Sequence, residues 1–563
     1  MLFRKNFDKR IYHHIDPDEI FIDSTNLPGF DTYQFEGRIE KPIATKTFLF
    51  VGIFFAVIAL IFLGKSWNIQ ISNGESYAER SANNRLRHSL IFSERGLIYD
   101  KNNVPLAWNE TGEPNSFNLR KYIDKSGFSN LLGYVSYPKK DSAGFYYDKT
   151  ISGVDGIEKF FESTLQKENG LRIVETNALN ETVSENTIRP PEKGGNVHLT
   201  IDSEVQGALF NSVKTIVDQA GFVGGGAVIM DVHNGDLLAL VNYPEFDSNI
   251  MTDGSNTKMI NEMLRDKRKP FLNRITQGLY TPGSIIKPFV AFGALQEKII
   301  NPTDNIVSTG SISIPNPYNP DAPSIFNDWK AHGPVDVRKA IAYSSNVYFY
   351  EVGGGYKDLV GLGINRIEKY LRKFGFGTSV QGELFSDLAG TIPNPEWKKN
   401  VFNDDWRLGD TYFISIGQYG TQVTPLQVVR AYSAIANRGT LIDPKIIADP
   451  AQPIVSSKIE GIDGWVWDTI HLAMRDTVLF GTSKGLNYPD FEIAGKTGTA
   501  ELGVSKEDVN SWAVGFFPYK NPRFAYVFML ESGKRTNTIG GVAAARNFFD
   551  WMKIYHPEYL TSN

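Results

Sequence analysis

Gly226-Ala227-Val228-Ile229-Met230-Asp231 and Leu237-Leu238-Ala239-Leu240-Val241 flank His233-Asn234-Gly235-Asp236. Two apolar runs around an Asn-Gly pair predict a β-hairpin, because Asn and Gly accept the positive φ that a tight turn between twisted strands demands. Three more strands are expected near the other end, at Glu492 to Thr499, Ser511 to Phe517 and Phe524 to Leu530. Helical stretches such as Pro425 to Asn437 lie between. Strands from both ends with helices in the middle predict an α/β (α+β) domain. One antiparallel sheet joins the two ends of the segment and is covered by helices. No repeat at a period of about 20–50 residues is visible.

Within that domain three short motifs follow one another: Ser284-Ile285-Ile286-Lys287, Ser344-Ser345-Asn346 and Lys496-Thr497-Gly498-Thr499. S-x-x-K also occurs at Ser136–Lys139 and Ser255–Lys258, and average composition gives roughly two such matches by chance in a chain this long. S-x-N recurs at Ser24-Thr25-Asn26 and Ser81-Ala82-Asn83. K-T-G occurs once, where chance gives about 0.1. Only Ser284 follows a Pro-Gly turn and opens an apolar run, Ile285 to Leu295, that reads as a buried helix.

The residue types fit acyl transfer. Ser284 and Lys287 share a helix face. Ser284 stands at the first turn, where free N–H groups and the positive dipole end favour a developing oxyanion. A serine hydroxyl needs a base, and Lys287 serves only if neutral, so desolvation and a neighbouring cation such as Lys496 must lower its pKa from about 10.4. Ser344 can relay a proton, and Asn346 can hold a substrate carbonyl or the lysine. Gly498 on a strand admits a substrate backbone, while Lys496, Thr497 and Thr499 suit a carboxylate. The Thr499 and Ser284 N–H groups together form a candidate oxyanion hole. Without K-T-G downstream, Ser284 reads equally well as an N-cap and Lys287 as a surface lysine.

Composition excludes other classes. With 563 residues several domains are expected, and a net charge of −5 gives no case for nucleic acid. The absence of cysteine excludes disulfides and thiol chemistry. Phe491 to Lys496 lacks the first glycine of a phosphate-binding loop. The histidines are dispersed apart from His13-His14; His332, in Asn327-Asp328-Trp329-Lys330-Ala331-His332-Gly333, reads as structural.

Between Lys46 and Lys65, the run Thr47 to Gly64 carries no charge, and Trp67 follows as an interfacial anchor. That length spans a bilayer core. Forty-six residues precede it and no small-residue cleavage site follows, which argues against a cleaved signal. Arg38, Lys41 and Lys46 before the run put the N-terminus inside. The expected organisation is a cytoplasmic tail over 1–46, in which Phe21, Leu27, Phe30 and Phe35 offer a docking edge, and an anchor over 47–64. A loop-rich pedestal over 65–197, a large domain over 198–556 and a C-terminal tail over 557–563 follow. Arg95, Asp100 and Glu158 stand out in the pedestal, either as a partner surface or with Arg95 and Asp100 as an internal ion pair.

These motifs closely resemble class B penicillin-binding proteins, most nearly the penicillin-binding protein 2 type of cell elongation. The likeness extends to Arg95-Gly96-Leu97-Ile98-Tyr99-Asp100, Gly153 to Glu158, Asn273-Arg274, Gly409-Asp410-Thr411, Ile416-Gly417-Gln418, Thr424-Pro425-Leu426-Gln427 and Trp512. It implies a five-stranded penicillin-binding and serine β-lactamase-like domain on a β-rich pedestal. It also implies a D,D-transpeptidase in which Ser284 attacks the D-Ala-D-Ala bond of a peptidoglycan stem peptide. Implied partners are lipid II-derived glycan and a SEDS-family glycosyltransferase of the RodA type. Tyr419 stands where the family has glycine in Gly417-Gln418-Tyr419-Gly420, and Asn346 replaces an Asp of some members. Relatives that hold zinc beside the Asp-Trp…His-Gly stretch do so through a cysteine, so no metal or other cofactor is expected here. A division-type enzyme, a D,D-carboxypeptidase, a penicillin-sensing receptor and an idle scaffold are the alternatives.

Overall fold

The computed structural model describes residues 45–68, 71, 73, 87–113, 116–142, 145–176, 182–316, 319, 321–380, 388–448 and 455–561. The tail aromatics and the S-x-N copies at Ser24 and Ser81 lie outside the described residues. The chain divides into two compact units, Met1–Arg87 and His88–Asn563.

In the first unit, helix α1 (Thr45–Trp67) carries the uncharged run. Its 23 residues reach about 35 Å, enough for a hydrocarbon core. Phe48–Trp67 has a mean hydropathy of 2.6 and none of it is buried by protein. A helix apolar on every side is stable only where lipid replaces water.

The second unit is built on strands β1 (Gly224–Asp231), β2 (Leu237–Tyr243), β3 (Ala494–Leu502), β4 (Asp508–Phe517) and β5 (Phe524–Lys534). They form one antiparallel sheet in the order β2-β1-β5-β4-β3. The expected hairpin is β1–β2, and Gly235 supplies the positive φ of 84°. β1 then pairs with β5, so Gly224 faces Glu531 and the two ends of the domain close on each other. The remaining helices used below are α2 (Ser203–Ala220), α3 (Lys287–Gln296), α4 (Val337–Tyr343), α5 (Asn346–Gly354), α6 (Pro425–Ala436), α7 (Gly464–Leu479) and α8 (Gly541–Tyr555).

Strand periodicity explains the layers. Ala227 and Ile229 point to one face, with Val205 and Leu209 of α2 and Phe548 and Phe549 of α8. Val228 and Met230 point to the other, with Phe289 of α3 and Val428 and Tyr432 of α6. Both faces are covered, which is why β1 reads as a continuous apolar run rather than an alternating one. α6 starts at Thr424, whose side chain and that of Gln427 cap each other's backbone N–H groups, with Pro425 at the first helical position.

The pedestal is held by buried charge. Arg95 Nε donates to Glu158 Oε2 at 2.6 Å and its Nη2 to Glu162 Oε2 at 2.7 Å, while Arg120 Nε donates to Glu158 Oε1 at 2.6 Å. The pairing of Arg95 with Asp100 is not formed. Asp100 accepts from the N–H groups of Asn102 and Val104, closing a turn, and from Ser203 N at 3.1 Å, at the start of α2. Asp100 therefore joins the pedestal to the large domain. Arg95, Asp100 and Glu158 are all buried, so none of them forms a partner surface. The described residues beyond 556 are seated on the large domain: Tyr559 and Leu560 are buried, and Tyr559 Oη donates to Asp202 at 3.0 Å.

Candidate active site

Ser284 lies in a short 3-10 turn, Gly283–Ile286, that runs into α3. Three contacts from distant segments aim this turn. Trp512 Nε1 donates to Thr281 O at 3.1 Å, Tyr432 Oη to Ile285 O at 2.7 Å, and Gly283 N to Gly417 O at 3.0 Å. Gly283 itself has φ +58°, and a Cβ there would meet Thr499 O and Ala500 Cβ at 3.2 Å. The turn therefore rests directly on β3, which brings Ser284 beside the K-T-G-T motif. Ser284 is half-buried and Thr499 exposed, so both are reached from solvent.

Lys287 is fully buried. Its Nζ donates to Ser344 O at 2.7 Å, Asn346 Oδ1 at 2.8 Å and Ser344 Oγ at 3.2 Å. Of the two roles open to Asn346, holding the lysine is the one formed. From the other side Lys496, also fully buried, donates to the same Ser344 Oγ at 2.9 Å and to Thr497 O at 2.9 Å. Two lysine nitrogens thus share one hydroxyl oxygen. Burial pushes the Lys287 ammonium down to about 7, against the pull of the Asp328 carboxylate. Burial, and then the charge of Lys287, holds Lys496 well below its ordinary value. Of the desolvation and the neighbouring cation expected to lower Lys287, desolvation is the one that acts.

The K-T-G side chains have partners within the protein. Lys496 Nζ donates to Ser344 Oγ and to Thr497 O of its own strand. The Thr497 hydroxyl donates to Thr482 Oγ1 at 2.6 Å. Gly498 is buried, and a Cβ there would meet Pro282 O at 2.8 Å and Ile285 Cγ2 at 2.9 Å. The close approach that demands glycine is that of the nucleophile's own turn, not of a substrate backbone. Gly498→Ala is therefore expected to cost about 1–3 kcal/mol of strain and to slow acylation of Ser284, because a backbone carbonyl two residues before Ser284 must move. Wild-type stopped-flow acylation rates in this variant would refute the reading.

The other S-x-x-K copies are unlike this one. Lys139 and Lys258 are exposed, whereas Lys287 is fully buried. Tyr419 adopts φ +60°, the left-handed conformation glycine takes without cost. Its ring packs between Trp397 and Trp406, each with centroids 6.0 Å away, which offsets the strain.

Sequence reasoning missed Asp328 and Ser345. Ser345 caps α5, accepting from Tyr348 N at 3.3 Å, and donates to Asp328 Oδ2 at 2.7 Å. Only their position in an otherwise unremarkable Asn-Asp-Trp stretch and inside the S-x-N motif marks them. His332 Nε2 lies 3.7 Å from Asp328 Oδ1, and its ring stacks on Tyr343 at 5.9 Å. This donor set does not fit zinc: both Asp328 oxygens already accept hydrogen bonds. Among the described residues no third His, Asp or Glu completes a cluster.

Comparison with known proteins agrees with this geometry. The penicillin-binding protein transpeptidase domain matches residues 225–553, and the penicillin-binding protein dimerisation domain matches residues 113–199. Peptidoglycan D,D-transpeptidase MrdA of Salmonella typhimurium strain LT2 is 30% identical over 457 residues, 74% of this chain and 70% of that protein. The protein of the same name from Haemophilus influenzae is 29% identical over 448 residues, 73% of this chain and 66% of that protein. The matched part thus spans about two thirds of these relatives' length. The crystal structure of Pseudomonas aeruginosa PBP2 in complex with WCK 5153 has a TM-score of 0.66 at 29% identity, covering 84% of this chain and 98% of that one. A complex between PBP2 and MreC from Helicobacter pylori shares the fold, with a TM-score of 0.68 at 24% identity over 84% of this chain and 99% of that one. The chain belongs to the penicillin-binding protein transpeptidase family, as a class B member of the penicillin-binding protein 2, serine D,D-transpeptidase type.

Proposed function

We propose that this chain cross-links peptidoglycan stem peptides during cell-wall elongation, through an acyl-enzyme on Ser284. The observation that carries the reading is the shared Ser344 hydroxyl, with Lys287 Nζ at 3.2 Å and Lys496 Nζ at 2.9 Å. Two ammonium groups on one buried oxygen repel, so at least one lysine is neutral near pH 7. Lys287, held near 7 and three residues from Ser284, is the base. Ser284 Oγ attacks the carbonyl of the D-Ala-D-Ala bond as Lys287 takes its proton. The Ser284 and Thr499 N–H groups receive the oxyanion. The Ser344 hydroxyl passes the proton to the departing D-Ala nitrogen. An amine of a neighbouring stem then attacks the ester, and Ser284 recovers its proton by the reverse route. Asn346 holds Lys287, Lys496 orients Ser344, and the Thr497 and Thr499 hydroxyls, with Gly498 between them, present β3 to the terminal carboxylate.

The membrane segment over 47–64, with the N-terminus inside the plasma membrane, sets the catalytic domain outside, where lipid II-derived strands are found. The large domain over 198–556 is then the enzyme, and the pedestal over 65–197 offers its exposed residues to a membrane-embedded partner. The chain carries no second constellation for glycan polymerisation among the described residues, so a SEDS-family polymerase of the RodA type supplies the strands within the elongation machinery. The test uses the full-length protein in membranes with a fluorescent penicillin, followed by lipid II and such a polymerase. Mass spectrometry is expected to place one adduct on the peptide containing Ser284, and unlabelled protein is expected to yield cross-linked strands. An adduct on Ser136 or Ser255 removes the site. Polymerised strands trimmed of D-Ala but never cross-linked would mark a carboxypeptidase.

A further inference from the structure

Ser344 is a non-glycine residue with φ +58°. That left-handed turn is what points its carbonyl and its hydroxyl at the same lysine. A residue with a Cβ does not hold this conformation unaided, so the surroundings must over-determine it. Part of that restraint is the end of α4, where Ser344 N donates to Ile341 O at 3.2 Å and Ser345 N to Ala340 O at 3.0 Å.

The rest comes from behind, from one carboxylate. Asp328 Oδ2 accepts from Ser345 Oγ at 2.7 Å and from Val347 N at 3.0 Å, the residues that begin α5. It also accepts from Ser308 Oγ at 3.1 Å, while Oδ1 accepts from Trp329 N at 2.9 Å. The Asp328 side chain is fully buried. Its own backbone is fixed, with Asp328 N donating to Gly310 O at 2.8 Å and His332 N to Ser308 O at 3.0 Å. The carboxylate also stands at the positive end of α5, where an anion is favoured. Asp328 is thus clamped on one side to the strand segment around Ser308 and on the other to the start of α5, immediately after the strained residue.

We propose that Asp328 is a positioning residue for the transpeptidation reaction, a metal-free peg that holds the Ser344–Asn346 turn in the conformation that presents Ser344 and Asn346 to Lys287. This deepens the acyl-enzyme reading above and rests on it. Asp328 touches neither substrate nor Ser284; it acts through Ser345 and the Val347 N–H. Its charge has a second consequence. The groups facing the pair are Lys496 from β3, His332, and Tyr350 on α5. Among them the carboxylate is the one that favours protonated Lys287. Removing that charge lowers the Lys287 pKa, so the rise in acylation rate with pH moves toward acid.

The test compares full-length wild type with Asp328→Asn and Asp328→Glu, using benzylpenicillin as the probe. Acylation rate constants and ground-state binding are measured from about pH 5 to 9, with thermal unfolding alongside. Asp328→Asn keeps the shape but loses the charge and one acceptor. It is expected to acylate about 10- to 100-fold more slowly at saturating penicillin, with binding changed less than threefold and the rising limb displaced to lower pH. Asp328→Glu, which keeps the charge but not the reach, is expected to slow acylation without that displacement. If Asp328→Asn merely lowers the unfolding midpoint and the labelled fraction, while folded molecules react at the wild-type rate with an unmoved limb, the residue is structural and the proposal fails. Wild-type acylation abolished by a chelator and restored by zinc would overturn the metal-free peg. Failure of the acyl-enzyme reading is separate, since it is read from wild type alone as an adduct elsewhere than Ser284.

Discussion

Lys287→Met is expected to reduce the acylation rate of Ser284 by about 10²–10⁴-fold, the usual worth of a positioned general base, with little change in ground-state binding of penicillin. In wild type the rate should rise with pH through about 7, as the buried ammonium of Lys287 loses its proton. The same group makes a second contribution, to stability. Its folded pKa lies below the unfolded value of about 10.4, so between about 7 and 10.4 the unfolded chain binds the extra proton. Stability therefore rises with pH across that window and is lost again as pH falls to 7. Lys287→Met should lack this share of the rise. Its unfolding free energy, measured in denaturant at pH 7 and pH 10, should change less with pH than that of wild type, by an order of magnitude of a few kcal/mol. Lys496→Ala should fail differently, weakening recognition of the ligand carboxylate and disturbing Ser344. Wild-type acylation rates in Lys287→Met would take the lysine out of the mechanism.

The second large effect belongs to the pedestal. Glu158→Gln is expected to cost about 3–5 kcal/mol, because it leaves two buried guanidinium groups, Arg95 and Arg120, without their shared carboxylate. All three side chains are fully buried, so neither water nor salt compensates. Glu162→Gln provides the control. Glu162 also pairs with Arg95, at 2.7 Å, but its side chain is 37% exposed, and the loss there should be nearer 1 kcal/mol. Guanidinium-induced unfolding of the two variants decides the matter, and equal, small losses would show that the network carries no such weight. The contrast matters for function. A pedestal that turns Arg95, Arg120 and Glu158 inward holds its own shape through them, so charge changes at its exposed positions leave that network intact.

Much of this molecule was legible locally. The Asn-Gly pair between two apolar runs located β1–β2, the uncharged run from Thr47 located α1, and Thr424-Pro425-Leu426-Gln427 located the start of α6. Each follows from propensity and spacing over a few residues. The single K-T-G and the apolar run after Ser284 singled out, from three S-x-x-K copies, the one whose lysine is buried, since that burial follows from its own helix. Which groups those residues meet was decided only by tertiary structure. Ser344 receives Lys287 from 57 residues away and Lys496 from 152. Arg95 finds Glu158 across 63 residues and not Asp100, five positions along. Gly498 is required by Pro282 and Ile285, more than 200 positions earlier in the chain. Asp328 had no signal for its contact with the Ser345–Val347 segment, because a carboxylate that positions a neighbouring turn leaves no period and no spacing in the sequence. Hydrogen-bond partners and desolvation depend on which segments pack together, and that packing is a property of the whole buried core.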